Sequence, residues 1–404
     1  MRFLFASLSS HGFLYPALGM ARALERRGHQ CALVTGRSLE SEARKAEIER
    51  IPRGDKDGES FEVPLWMNPL SVAMQILHVE YAVKRFQPDV LVGQQLTLGP
   101  MIASRRNDLP LAIIGLMTYP YPYLRGDEAL SPEYKHRLSW RHGDVLQTLN
   151  EARATFSLAP ESAQPHSSPL LGDLFLLRSL PALEVNPQGL PEHVHMVGDL
   201  LWHPPIEGDS ELEDWLGAIR DRRCVYVQHG RVFGLPGFWK EFVQAMRKSG
   251  LTAAVAASRM DFDLGDYPQD FLVRPHLPQH LVLARSRTVV SSANTTVTLG
   301  ALRAGVPSLQ IPSGSEQPDV AECCRRRGLS LTLADDQLNP QGLKEALHRL
   351  GREPRFQEAC QSMSREMSAY QGRRKAVRLL EGLAGDRARA EVASPWTAAR
   401  ASAE

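Results

Sequence analysis

Short apolar runs alternate with amphipathic stretches twice along this chain, and a proline-dense interval separates the two series. The first run, 2–9 (RFLFASLS), reads as a strand buried on both faces of a parallel sheet. His11, Gly12 and Pro16 follow. Leu18, Ala21, Leu24 and Glu25 then keep helical spacing until Gly28, a residue suited to ending a helix. Residues 30–35 (QCALVT) supply the next strand, and the right-handed crossover rule makes the two strands parallel. Runs 88–93 and 111–117 repeat the pattern, each preceded by a helix-like stretch, 71–86 and 98–106.

Between about 158 and 210 the prolines crowd, at 160, 165, 169, 181, 187, 191, 204 and 205, a composition suited to a linker. The alternation then restarts, with strand-like runs at 224–228, 251–257, 271–274, 288–293, 307–311 and 329–333. Helix-like runs at 237–248, 279–285, 296–304, 317–327 and 341–350 lie between or after them. Two doubly wound α/β domains of similar size follow from this order. In such sheets ligands bind at the carboxyl ends of the strands, so a cleft between the halves is the expected site.

The 404 residues fit two or three domains. Lys and Arg number 47 against 46 Asp and Glu, so the chain lacks the basic excess of a nucleic-acid binder or a polybasic membrane anchor. The same balance opposes a disordered acidic chain, and the 43% hydrophobic content is enough to bury full-sized cores. Cys31, Cys224, Cys323, Cys324 and Cys360 show no metal spacing and read as reduced, buried residues of a cytoplasmic protein. No apolar run approaches the ~20 residues of a membrane span. The N-terminus reads as a first strand, not as a signal peptide.

The segment HGFLYPALGMARALERRGHQCALVT resembles the opening of the GT-B nucleotide-sugar glycosyltransferases, particularly the UDP-glucuronosyl/UDP-glucosyl group and its bacterial natural-product members. Gly12, Pro16, Arg27, Gly28 and His29 fit that pattern in register. HLPQHLVL (276–283) resembles the family's Trp-x-Pro-Gln element, and 288–317 resembles its donor-binding signature, with Gly305, Val306, Pro307, Pro312, Glu316 and Gln317 at the expected offsets. The resemblance implies a GT-B fold: two Rossmann-like doubly wound domains facing each other across a cleft. It implies an acceptor-binding domain over 1–205, ending in the proline-rich linker, and a donor-binding domain over 206–370. A helix over 371–386 would pack back on the first domain, and 387–404 would be a disordered tail.

Several positions depart from the family pattern. Phe13 occupies the slot of the catalytic His, and Gln94 that of the Asp which orients it. In the donor signature Ser292 replaces the diphosphate-contacting His, Asn294 its Gly partner, and Gly300 the ribose-contacting Glu.

The resemblance and the residue chemistry together nominate a site. His11, two residues before the usual base position, is the candidate base, or else bonds a neighbouring backbone group in a turn. A helix starting near Thr295 would offer free N–H groups to a diphosphate, helped by Ser292, Asn294, Thr295, Thr296 and Thr298, while Asn294 or Thr295 could equally cap that helix. Gly230 and Arg231 follow the strand CVYVQ, where a guanidinium would restore positive charge at the phosphates or stay solvated; His229 reads as packing. His276 sits in the slot of the family's stacking Trp, with Gln279 beside it, and is alternatively a packed strand-end residue. Glu316 and Gln317 fit the pair that holds sugar hydroxyls, or form an exposed loop pair. Phe13, Trp66, Met67, Tyr119 and Tyr121, with Met74, Leu77 and Tyr123, are the apolar supply for an acceptor, or else core.

Three functions are then open. The first is transfer of a sugar from a UDP- or dTDP-sugar to a hydrophobic natural product, with inversion. The second is a degenerate relative that binds a ligand or assists a partner. The third is a GT-B nucleotide-sugar epimerase. The nucleotide sugar is a co-substrate, so neither cofactor nor metal is implied, and a homodimer is left open.

Overall fold

The computed structural model describes residues 1–393 except 55–56, 123–130, 163–167, 206–207, 220–223, 229–236, 248 and 258–264; at 335 and 386–393 it describes the backbone alone. The chain forms two compact units. The first comprises Met1–Pro181, Asn186–Pro204 and Gln371–Glu404, the second Ala182–Val185 and Pro205–Tyr370.

In chain order the first unit contains β1 (Arg2–Ala6), α1 (His11–Glu25), β2 (Gln30–Val34), α2 (Glu40–Lys45), β3 (Glu49–Arg50) and α3 (Pro69–Phe86). It continues with β4 (Val90–Gln94), α4 (Gly99–Arg106), β5 (Leu111–Ile114), α5 (Pro132–Ala154), β6 (Leu174–Leu177) and β7 (Val194–Met196). These strands pair in parallel in the order β3-β2-β1-β4-β5-β6-β7. Phe3, Phe5, Leu33, Val90 and Val92 join one core with Leu14, Leu18 and Leu24 of α1. Parallel strands covered on both faces need apolar residues throughout, which is why these segments lack polar alternation. Gly28, at φ +86, turns the chain out of α1 in the left-handed conformation.

The proline-dense interval is not only a linker. It contains β6 and β7, the outer strands of this sheet. Pro169, Pro181 and Pro187 each open a short 3-10 turn, where a missing N–H costs nothing. The apolar tetrapeptide LFLL between two such turns pairs with β5. Neither β3, α5 nor these strands had been expected.

The second unit contains α6 (Ser210–Ala218), β8 (Cys224–Gln228), α7 (Phe238–Met246), β9 (Thr252–Ala256), β10 (Leu272–Arg274), α8 (Gln279–Arg285) and β11 (Ser286–Ser291). Then come α9 (Thr295–Arg303), β12 (Ser308–Gln310), α10 (Gln317–Arg326), β13 (Ser330–Thr332), α11 (Pro340–Arg352) and α12 (Pro354–Ala369). Its parallel sheet has the order β10-β9-β8-β11-β12-β13. Alternate residues of β8 serve opposite faces. Val225 and Val227 pack with Phe238 and Phe242 of α7, while Cys224 and Tyr226 pack with Val282 of α8 and Val297 of α9.

The last helix, α13 (Gly372–Ala393), belongs to the first unit and is longer than the 371–386 expected. Ala376, Val377, Leu380 and Ala384 enter that unit's core. Residues 394–404 lie outside the described residues. No described helix is long and apolar enough to cross a membrane. All five cysteines are buried and unpaired; burial pushes the Cys224 thiol up to about 11 and the Cys31, Cys324 and Cys360 thiols up to about 12.

Candidate functional site

In each sheet the strand order reverses at one point, and such points are where ligands of open α/β sheets bind. In the first unit the reversal lies between β1 and β4, in the second between β8 and β11. The candidate residues fall largely at the carboxyl ends of these strands.

In the second unit β11 ends at Ser291, and Ser292 and Ala293 lead to the N-terminus of α9. Asn294 caps this helix, its Oδ1 accepting the Val297 amide at 3.1 Å. The Nδ2 of the same side chain is buried without a partner, and so is the Oγ of Ser292, which is wholly buried. Ala293 adopts φ +60, a conformation costing a non-glycine residue about 1–2 kcal/mol. The strain and the unpaired buried polar groups thus coincide at a helix N-terminus, where free N–H groups converge and a negative charge is favoured.

Thr295 donates from Oγ1 to Glu316 Oε1 at 3.4 Å, which brings the loop before α10 to the start of α9. Glu316 is 9% exposed and Gln317 6%, so this pair is not an exposed loop feature. Gln317 Oε1 accepts from the Ser313 amide at 3.0 Å, which fixes the bend ahead of α10. Gln279, the first residue of α8, donates from Nε2 to the Thr296 carbonyl at 3.3 Å. A side chain at Gly300 would collide with this same amide, so the slot of the family's Glu is filled here from the neighbouring helix. Thr298 is buried and accepts from Gln310 Nε2 at 3.4 Å. Gln279, Thr296, Thr295 and Glu316 thus form one connected group beside Ser292 and Asn294. His276 stands exposed in the turn between β10 and α8. His229, Gly230 and Arg231 lie outside the described residues.

In the first unit His11 opens α1 directly after β1. Its ring lies edge-on to Tyr15, one turn later, at 5.2 Å between centroids. Phe13 is half-buried, and its carbonyl accepts from the side-chain amide of Gln94, the last residue of β4. The amide at the position of the family's Asp therefore clamps backbone across the β1–β4 reversal, which a carboxylate could not do because it has no donor. Arg178, 1% exposed, adds a second clamp from the end of β6, donating to the Gly12 carbonyl at 3.3 Å and the Asp199 carbonyl at 3.1 Å.

The apolar candidates divide. Tyr119 and Tyr121 are buried, packing edge-on to each other at 6.1 Å and against Phe175 and His142. Met67, Leu70 and Met74 are exposed on or just before α3, Leu70 at 71%, with Trp66 half-buried beside them. Leu77 is half-buried on the same helix, and Tyr123 lies outside the described residues. Among the described residues no group of His, Cys, Asp and Glu has the arrangement of a metal site.

Sequence reasoning missed a carboxylate near His11. Glu42 of α2, 6% exposed, accepts from Tyr15 Oη at 2.8 Å and from Lys45 Nζ at 2.9 Å. Burial alone would raise its pKa; the hydrogen bonds from Lys45 and Tyr15, with the Lys45 and His11 charges, outweigh burial and hold it below the usual range. Burial and the adjoining carboxylate push the Tyr15 phenol well above its ordinary value. Nothing in the spacing of these residues marks them, because the contact joins two helices of different βα units.

Comparison with known proteins follows the same lines. Residues 3–115 match the glycosyltransferase family 28 N-terminal domain. The chain is 21% identical to the NDP-glycosyltransferase YjiC of Bacillus subtilis (strain 168), over 93% of this chain and 95% of that protein. The crystal structure of the glycotransferase of kitacinnamycin superposes with a TM-score of 0.73 at 19% identity, covering 95% of this chain and 98% of that one. CalG4, the calicheamicin glycosyltransferase, gives 0.69 at 23% identity, with the same coverage. Two parallel sheets, each wrapped by helices, with motifs in one order across nearly the whole length, give the chain the GT-B fold and relate it to the bacterial nucleotide-sugar and natural-product glycosyltransferases.

Proposed function

We propose that this glycosyltransferase moves a sugar from a UDP- or dTDP-sugar to a hydrophobic small-molecule natural product, with inversion at the anomeric carbon. The observation that carries the reading is the start of α9, where buried polar atoms of Ser292 and Asn294 stand unpaired beside the Thr295–Glu316 contact. Diphosphate oxygens would accept from these groups and from the free N–H groups of the helix end. Glu316 and Gln317 would hold hydroxyls of the sugar, and Gln279 and His276 would face the nucleoside. Arg231 would add positive charge at the phosphates. The exposed apolar strip of Met67, Leu70 and Met74, with the half-buried Trp66 beside it, supports a lipophilic acceptor.

In this reading the acceptor oxygen attacks the anomeric carbon opposite the diphosphate. The carbon–oxygen bond to the diphosphate breaks and its electron pair leaves with the nucleotide. His11 takes the acceptor's proton, which Phe13 cannot do. The test is turnover by the purified chain with UDP- and dTDP-sugars and a panel of phenolic and macrocyclic acceptors. Product with an inverted anomeric centre is expected. His11→Ala should lower kcat about 100-fold or more, in the range of general-base loss, with the donor KM unchanged. Retention at that centre would overturn inversion. Donor binding without any product would favour the auxiliary role, and acceptor-independent change of the donor sugar would favour an epimerase.

A further inference from the structure

The usual partner of a base at this strand end is an acidic residue at position 94, and here that residue is a neutral glutamine engaged with the Phe13 carbonyl. A base at His11 therefore needs its charge partner elsewhere. Near the start of α1 the structure places a buried carboxylate, Glu42, held by the hydroxyl of Tyr15, whose ring packs against the His11 ring. Tyr15 is in turn fixed on its other side by Trp202, edge-on at 5.5 Å. We propose that Glu42, held in place by Tyr15, is the positioning residue that sets the basicity of His11. The inference rests on the reading of His11 as the base.

The physical argument concerns sign. A carboxylate near an imidazole favours the charged ring, so it strengthens the base and stabilises the imidazolium that forms as the acceptor gives up its proton. Glu42 keeps its own proton count through the reaction, because Tyr15 and Lys45 hold it ionised. The nearby cations act the opposite way. Lys45, paired to Glu42 at 2.9 Å, and Arg178, on the Gly12 carbonyl at 3.3 Å, both disfavour a second positive charge. Removing Glu42 thus takes away the carboxylate that offsets the Lys45 charge beside His11. A proton acceptor two residues before position 13, with its charge partner on α2, also explains why position 13 can be a phenylalanine: both come from residues the usual motif does not include.

The test reads the His11 imidazole directly by NMR titration and, in parallel, the pH dependence of kcat/KM. Glu42→Gln should lower the His11 pKa by about one unit, the lower end of the shift caused by a neighbouring opposite charge, and move the acid limb of the profile to lower pH by the same amount. Its kcat should fall while both KM values hold. Lys45→Met, at a half-exposed position that folding tolerates, should shift the imidazole the other way, upward. Tyr15→Phe keeps the ring and removes only the hydroxyl that holds Glu42; its shift should follow Glu42→Gln in sign and be smaller. A purely structural Glu42 would lower thermal stability and leave the imidazole titration where it was, and that result overturns the proposal. If Lys45→Met leaves the titration unmoved, the proposal also fails, whether or not Glu42→Gln folds. If the titration moves as expected but His11→Ala retains full kcat, it is the base reading that fails, and the role of Glu42 in the reaction falls with it.

Discussion

Asp57 is a buried charge kept ionised by its neighbours. The guanidinium of Arg50 donates to one oxygen, the Arg53 amide reaches the other at 2.9 Å, and His78 lies 3.9 Å away. Burial alone would raise this carboxyl's pKa; hydrogen bonds from Arg50 and the Arg53 amide, with the Arg50 charge, reverse that and hold it below the usual range. Burial also depresses His78, which is held neutral with its Nε2 at 2.9 Å from the Ile51 carbonyl. Both groups bind protons more readily when unfolded, so stability is full at neutral pH. It declines first as the pH drops below the ordinary imidazole range, then further as it passes through the Asp57 carboxyl. Asp57→Asn leaves the Arg50 guanidinium, almost fully buried, without its closest counter-charge. Breaking such a pair costs about 3–5 kcal/mol, far more than the pair itself contributes over an apolar replacement. Urea unfolding at pH 7 should show that loss. At acid pH, where the wild type has also lost the charge, the difference between the two proteins should narrow.

At the scale of elements, the first turn of α1 is fastened to two strands by side chains that donate to its carbonyls, Gln94 from β4 and Arg178 from β6. Arg178→Met would keep much of the stem's packing and remove the donor that the Gly12 and Asp199 carbonyls share. With net hydrogen-bond contributions of about 1–3 kcal/mol for a charged donor, a loss of about 2 kcal/mol is expected, visible as a lower urea midpoint with an unchanged slope. The strands on either side of this turn were legible in the sequence because central parallel strands must be apolar on both faces; RFLFA and VLVGQ can hardly be anything else. β6 and β7 were hidden because four- and three-residue strands flanked by Pro-led turns carry too little pattern against a proline background. Helix α5 was hidden for the opposite reason. Its 23 residues bury only a narrow stripe, Tyr134, Leu138, Val145, Thr148, Leu149 and Ala152, within a polar sequence. The site shows the same division. The start of α9 could be read from Asn294 and the threonines after it, since capping and anion binding use one local geometry. Glu42, Arg178 and the filling of the Gly300 slot by Gln279 depend on which units become neighbours, and no local pattern records that.

At the scale of the whole molecule, the first domain is discontinuous: its sheet is finished by residue 204 and its covering helix arrives only after the second domain has been traced. α13 is therefore the last element to complete a core begun at β1, and Leu380 is wholly buried within it. The motif residues Arg27 and His29, which the sequence marks only as a helix end, hold this helix from outside. Arg27 Nε lies 2.6 Å and His29 Nε2 2.8 Å from Glu381 Oε1. The Arg27 hydrogen bond, with help from His29, outweighs burial and keeps the Glu381 carboxyl below the usual range. Its contribution is present at neutral pH and lost as the pH falls through that lowered value. An outer ion pair with Arg27 half exposed adds little, and salt screens it, so Glu381→Gln should change stability by less than about 1 kcal/mol. Leu380→Ala removes buried volume from the centre and should cost about 2–5 kcal/mol. Because the two substitutions sit side by side on one helix, hydrogen exchange can separate grip from core. Leu380→Ala should lower amide protection in β1, β4 and β6 together, whereas Glu381→Gln should affect only α13 and the turn at Gly28, and only at low salt. Equal loss in the second domain's strands on Leu380→Ala would show that the returning helix stabilises the chain as one unit, against the assignment of its core contacts to the first domain.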